Sequence, residues 1–157
     1  MARFTDVEER VESRSERRVR YFLAVILFLQ TVVTAIPFLQ GWVEIDGQYR
    51  EMTITAFNLL INPNGYGSFG AMPLALIGGV LVIFPIVAFF FCVLDSKSRV
   101  KFFVSGACSI VTAIIITFCF SSYISIGAVI TLVLDVICLF MSSQGIQAVM
   151  IRKRNQA

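Results

Sequence analysis

Asp135 is the only charged residue inside an apolar run of this 157-residue chain, so chemistry there would be chemistry at membrane depth. If its run starts near Ile126, Asp135 lies about 14 Å along a helix, close to the middle of a ~30 Å hydrocarbon layer. A carboxylate there is costly, so it must face other helices and find a partner. Counted the same way, Gln30, Thr31 and Thr34 on an earlier run and Thr112 on a later one reach a similar level. These five are the candidate intramembrane polar cluster. No Lys or Arg in the runs can pair with the carboxyl. Two states stay open. One is a neutral acid, hydrogen-bonded to Gln30 or Thr112 and acting as polar glue between helices. The other is an ionised group matched by a cation, a transported proton or a basic residue on another chain.

Other reactive side chains point to packing. Ser105, Cys108, Ser109 and Thr112 share one helical face, but no base accompanies the hydroxyls, so small residues allowing close helix approach is the better reading. Gly78-Gly79 reads the same way, and Pro85 interrupts a helical run, where it can kink the helix. Cys92, Cys108, Cys119 and Cys138 all fall in apolar runs, where a thiol behaves as a small apolar group. There is no histidine, no close cysteine pair and no phosphate-binding glycine loop. No catalytic residue, metal site or cofactor is expected.

The elements that must hold Asp135 follow from the charge distribution. The chain is 57% hydrophobic and 15% charged, against about 25% charged for an average soluble domain. Apart from Asp135, the charges sit in the N-terminal segment, near residue 46, near residue 98 and at the C-terminus. Between them lie four runs long enough to span a bilayer, about 21–40, 72–94, 102–120 and 126–150. The first twenty residues, long and mixed in charge, fit a signal anchor better than a cleaved signal peptide. Lys and Arg set the orientation. Arg14, Arg17, Arg18, Arg20, Lys97, Arg99, Lys101, Arg152, Lys153 and Arg154 share one side, and Arg50 stands alone on the other. Both termini are therefore expected in the cytoplasm and residues 41–71 outside. Residues 1–20 read as a cytoplasmic helix with a capping box at Thr5 and Glu8 and i,i+4 pairs Asp6–Arg10 and Glu16–Arg20. Residues 151–157 form a short tail. Arg17, Arg18, Arg20, Arg152, Lys153 and Arg154 are placed to meet lipid phosphates, which favours anionic lipid over nucleic acid as the partner of the basic clusters.

The outer loop carries its own fold signal. Asp46-Gly47 is a preferred two-residue hairpin turn. Folding there sets Ile45 opposite Gln48, Glu44 opposite Tyr49, Val43 opposite Arg50 and Trp42 opposite Glu51. Val43, Ile45, Met52 and Ile54 then share one face, and Trp42, Glu44, Tyr49, Glu51, Thr53 and Thr55 the other. Trp42 stands where an interfacial aromatic would. Residues 56–61 suit one or two helical turns. Asn62-Pro63-Asn64-Gly65 is turn chemistry, and Pro73 suits a helix start.

The layout resembles the claudin-type tetraspan: four spans, both termini inside, an outer hairpin after the first helix and a short helix before the second. The stretch Gly41-Trp42-Val43-Glu44-Ile45-Asp46-Gly47 resembles loops of small uncharacterised bacterial membrane proteins, which favours a plasma membrane. The claudin loop pattern of Trp, Gly-Leu-Trp, Cys and Cys is reduced here to Trp42, so no junction or pore function is carried over. The expected fold is an all-α transmembrane four-helix bundle with a small extracytoplasmic β-hairpin between helices 1 and 2. The expected function is that of a non-enzymatic accessory or interaction subunit. It would use the hairpin (Trp42, Asp46, Gly47, Tyr49) or the helix faces to meet lipids, another membrane protein or a second copy. The alternative is an oligomeric transporter or channel subunit with Asp135 in its ion or proton path. A transport path shows polar residues on successive turns, whereas polarity here reads as concentrated near one level, which favours the first.

Overall fold

The computed structural model describes residues 13–45, 47–62, 74–95, 100–120 and 124–156, with the side chains of 41–45, 119–120 and 152–156 outside that description. Several expectations therefore lie outside the described residues: the Thr5–Glu8 capping box, the Asp6–Arg10 pair, Asp46, the turn beyond Asn62, Pro73, Lys97, Arg99, and the side chains of Trp42, Cys119, Arg152, Lys153 and Arg154.

The elements are α1 (Arg14–Val33), β1 (Pro37–Ile45), β2 (Gln48–Thr55), α2 (Ala56–Ile61), α3 (Leu74–Leu94), α4 (Val100–Phe120) and α5 (Ile126–Gln156). α3, α4 and α5 are long and apolar enough to cross a membrane. α1, α3, α4 and α5 pack in a ring in which α1 touches α3 and α5, and α4 touches α3 and α5. One end of the ring holds the start of α1, the end of α3, the start of α4 and the end of α5, and is rich in charge. The other end carries the hairpin and α2.

α1 begins where Ser13 caps it, its hydroxyl accepting from the Glu16 amide at 3.2 Å. It stops at Val33, seven residues before the expected end of the first span at Gln40. Pro37 explains the correction: the residue before a proline is driven out of the helical region, and proline has no N–H to continue the ladder. Residues 37–40 instead open β1, where proline is tolerated at a strand start. α5 continues unbroken past Met150 to Gln156, beyond the expected end of the fourth span.

The strand register is the one the turn predicts, from Ile45↔Gln48 through Trp42↔Glu51, and it continues to Pro37↔Thr55 with an irregularity between Pro37 and Leu39. Gly47 adopts φ 75°, the left-handed region the turn requires. The root of the hairpin is sunk into the helices. Phe38, Leu39, Ile54 and Ala56 are buried and join Leu59, Ile77, Leu81, Ile116 and Ala128 in one apolar cluster. The Ser125 amide donates to Phe38 O, the Phe57 amide donates to Thr34 O, and Leu39 bridges Ile124.

α2 follows directly, capped by Thr55, whose hydroxyl accepts from the Asn58 amide at 3.0 Å. It lies against α3 at Gly78. A Cβ there would stand 2.6 Å from Leu60 N and 2.7 Å from Leu59 C, so only glycine lets the two backbones approach. At Gly79 the nearest atom is 3.7 Å away. Gly78→Ala is therefore expected to destabilise the fold by about 1–3 kcal/mol through displacement of α2. Gly79→Ala should be neutral or slightly stabilising, because it removes a helix-interior glycine. Thermal unfolding of the two variants in detergent checks the contrast, and equal losses would remove the close-approach explanation.

Candidate functional site

Asp135 is 1% exposed and sits where α1, α4 and α5 converge. Gln30 Nε2 donates to its Oδ1 at 2.7 Å. Thr112 Oγ1 lies 2.9 Å from both carboxyl oxygens. Gln30 and Thr112 are each 2% exposed, so the cluster is enclosed. The other two members expected at this level turn back onto their own helix: Thr31 donates to Leu27 O and Thr34 to Thr31 O. Threonine in a helix does this readily because its hydroxyl reaches the carbonyls three and four residues back.

Proton counting limits what the cluster can be. Thr112 Oγ1 is within 3.1 Å of Cys108 O and Ser109 O as well as the carboxyl, yet a hydroxyl has one proton to give. If Asp135 carries a proton, it donates to Thr112, Thr112 donates to its own backbone, and Gln30 donates to the remaining carboxyl oxygen. Every group is then served without a counter-cation, which a buried polar network needs in order to stabilise.

The polar residues extend well beyond this level, and the expectation of polarity at one level is corrected. On α4, Lys101, Ser105, Ser109 and Thr112 are all buried, and on α5 so are Thr131, Asp135, Cys138 and Ser142. Each series steps by three or four, which stacks it on one helix face. Lys101 to Thr112 is eleven residues, or ~16 Å of seam at ~1.5 Å per residue. Ser105 donates to Lys101 O at 2.7 Å and lies 3.3 Å from Cys92 Sγ, while Cys138 Sγ is 3.9 Å from Ser105 O. Cys92, Cys108 and Cys138 are free thiols. Among the described residues no group could hold a metal ion. The α4 series was partly visible in sequence. Thr131, Cys138 and Ser142 were missed, and stepping by three and four from Asp135 would have found them.

At the charged end the seam meets two buried cations. Arg20 was expected at lipid phosphates. It is instead 8% exposed, donating from Nη1 to Cys92 O at 3.3 Å and Val93 O at 3.4 Å, with its guanidinium 5.0 Å from the Tyr21 ring centroid. Lys101 Nζ donates to Asp95 O at 3.1 Å. The reason is local: α3 ends at Leu94, and its last carbonyls need donors and carry the negative end of the helix dipole. Arg17 and Arg18 are exposed. At the hairpin, Tyr49 is 71% exposed, and Gln40 Nε2 donates across the strands to Glu51 Oε1 at 2.7 Å.

Comparison with protein-family models, with curated proteins and with solved structures finds no match.

Asp135→Asn keeps an acceptor for Gln30 and supplies a donor for Thr112, so it is expected to stay within about 1 kcal/mol of the parent. Asp135→Ala strands both partners and should lose about 1–3 kcal/mol. Unfolding in mixed micelles measures both. A neutral acid is untenable at this site if the asparagine variant loses as much as the alanine variant.

Proposed function

We propose that the chain is a non-enzymatic integral membrane protein of four spans that works as an accessory or interaction subunit through its hairpin. Three helices already have the length and apolarity to cross a membrane. The fourth span would be α1, whose outer face carries Phe22, Val25, Phe28, Leu29 and Val32, all exposed. Such a face suits lipid and not water. The helical part of α1 past Tyr21 is short, and the turn and strand root at residues 34–40 would complete the crossing. The excess of Lys and Arg at the charged end favours that end in the cytoplasm and the hairpin outside, in the plasma membrane. The arrangement would then be that of a claudin-type tetraspan, without the loop cysteines of that family.

The observation that carries the interaction reading is the contrast along the hairpin. Its root is locked by Phe38, Leu39 and Ile54, which are at most 1% exposed, while Gln48, Tyr49, Arg50 and Glu51 are all exposed. A two-stranded ribbon is marginal by itself, and this one is anchored so that its tip is presented at a fixed angle. Its β1 edge is engaged at the root, where Leu39 bridges Ile124, and the two-stranded sheet otherwise leaves edge backbone groups able to pair. An enclosed cluster at Asp135 leaves no room for a substrate, which argues against an enzyme. The alternative, a transporter with Asp135 in a through-path, would need polar residues in the hairpin half as well. In that half the hydroxyls of Thr131 and Thr34 are spent on nearby backbone carbonyls, and the rest is filled by Phe38, Leu39, Ile54, Leu59, Ile116 and Ala128.

Crosslinking in the native membrane followed by native mass spectrometry tests the proposal. A stoichiometric protein partner is expected with the parent chain. It should be lost when Tyr49, Arg50 and Glu51 are replaced by serine, at a stability change within about 0.5 kcal/mol for each exposed position. A lone monomer, or a partner that survives the serine replacements, overturns the hairpin reading. A closed homo-oligomer indifferent to the tip would favour the transporter class.

A further inference from the structure

The α4–α5 seam contains two hydroxyls that the cluster at Asp135 does not use. Ser109 Oγ and Ser142 Oγ belong to residues 1% and 3% exposed, and neither completes a hydrogen bond. A buried hydroxyl without a partner is costly and calls for an explanation. Their positions supply one. Ser109 stands beside Asp135 and beside Cys138, and Ser142 stands on the other side of Cys138. Ser142 in turn lines a groove of about 320 Å³ with Phe102, Phe103, Gly106, Leu139 and Ile146. The four groups thus run in file from the carboxyl to a groove near the start of α4.

Each of these groups can both donate and accept. A hydroxyl or thiol gives its proton to one neighbour and takes one from the other by rotating, and a protonated carboxyl does the same. The groove is large enough for water, and a water at its floor would have the hydroxyls of Ser142 and Ser143 as partners, the other lining side chains being apolar. In the opposite direction the next buried hydroxyls, Thr131 and Thr34, donate to carbonyls of their own segments, Gly127 O and Thr31 O, and do not extend the file. Beyond Asp135, Ile116, Ala128, Phe38 and Leu39 are buried in the apolar cluster at the hairpin root. Among the described residues, the buried or half-buried ionisable side chains on the elements around Asp135 are Cys92 on α3, Cys108 and Lys101 on α4, Cys138 on α5, and Glu16 and Arg20 on α1, all on the charged side of it.

We propose that Asp135, Ser109, Cys138 and Ser142 form a one-sided water and proton access file, which lets the buried carboxyl exchange its proton through the α4–α5 groove and not through the hairpin end. Each step moves one proton from one heteroatom to the next and returns one from behind, so no charge is left in the bundle and no co-reactant is needed. The inference is independent of the hairpin reading, since it concerns the opposite half of the fold.

Infrared spectroscopy of the protein in lipid nanodiscs, on transfer into deuterium oxide, tests it. A protonated-carboxyl band that disappears in Asp135→Asn should shift in deuterium oxide. In Ser109→Ala and Ser142→Val that shift should slow by about tenfold or more, because exchange then waits for local opening of the bundle. Ser142→Thr, which keeps the hydroxyl, should exchange as the parent does. The same variants are compared for thermal midpoint, so that slower exchange at unchanged stability separates a relay from a packing role. The proposal is overturned if no such band exists, if the band fails to shift in the parent, or if the serine variants exchange as fast as the parent. It is also overturned if Ser142→Thr is as slow as Ser142→Val.

Discussion

A carboxyl group enclosed among apolar helices can be tolerated only if its partners come from the neighbours, because the backbone of its own helix is already engaged in the i to i−4 ladder. Asp135 meets that constraint with an amide from α1 and a hydroxyl from α4. The consequence is geometric. Turning α5 by one residue, ~100°, would carry Asp135 away from both donors and set Val136, 66% exposed, inside in its place. Apolar packing alone would discriminate poorly among such rotations, since the membrane-length part of α5 is hydrophobic on nearly all sides. The polar cluster therefore fixes the rotation of three helices, and the apolar clusters above and below it fill the space that this leaves.

A second set of contacts does for α3 what Asp135 does for the other three. α3 has no polar residue in its interior to fix its rotation, and its inward face is Leu74, Ile77, Leu81, Ala88 and Cys92. Its C-terminus is held by Arg20 from α1 and Lys101 from α4, which donate to carbonyls at its end. Its other end is held by the backbone of α2 against Gly78. One helix is thus located by its termini and three by a shared buried group. Both devices draw on the same fact, that a polar group in an apolar setting is costly until it finds a partner.

Much of this was legible in the residues. The Asp46-Gly47 turn and the alternation on either side set the strand register, because turn chemistry and period-2 patterning are local. The meeting of Asp135 with Gln30 and Thr112 followed from depth counting, since a helix rises by a constant amount per residue. What was missed depended on rotation and not on depth. Thr31 and Thr34 lie at the right level but spend their protons on their own helix. Arg20 reads as a lipid-facing arginine until α3 is known to end beside it. The overrun of the first span to Gln40 had a local signal, Pro37, whose effect on Ile36 outweighs the apolar character of Phe38 and Leu39. Those two residues are apolar because they fill the core as part of a strand.

The two halves of the bundle differ in kind, and the hairpin accounts for the difference. Strand residues entering between helix ends bring large side chains, Phe38, Leu39 and Ile54, to the centre of the ring, and Leu59 and Ile116 close around them. The charged half has an apolar cluster of its own, with Leu23, Leu27, Ala88, Phe102 and Val149, but there α4 and α5 approach through small side chains, Ser105, Gly106, Ser109, Cys138 and Ser142. Small residues permit close approach, but those with hydroxyls and thiols also bring polar atoms that must be served. The two halves therefore differ in what lies between the helices: a β-ribbon root at one end, and small polar residues along the α4–α5 seam at the other. The carboxyl at the boundary between the halves is shielded on one side by the element that projects from the fold, and approached on the other by the seam that lets α4 and α5 close on each other.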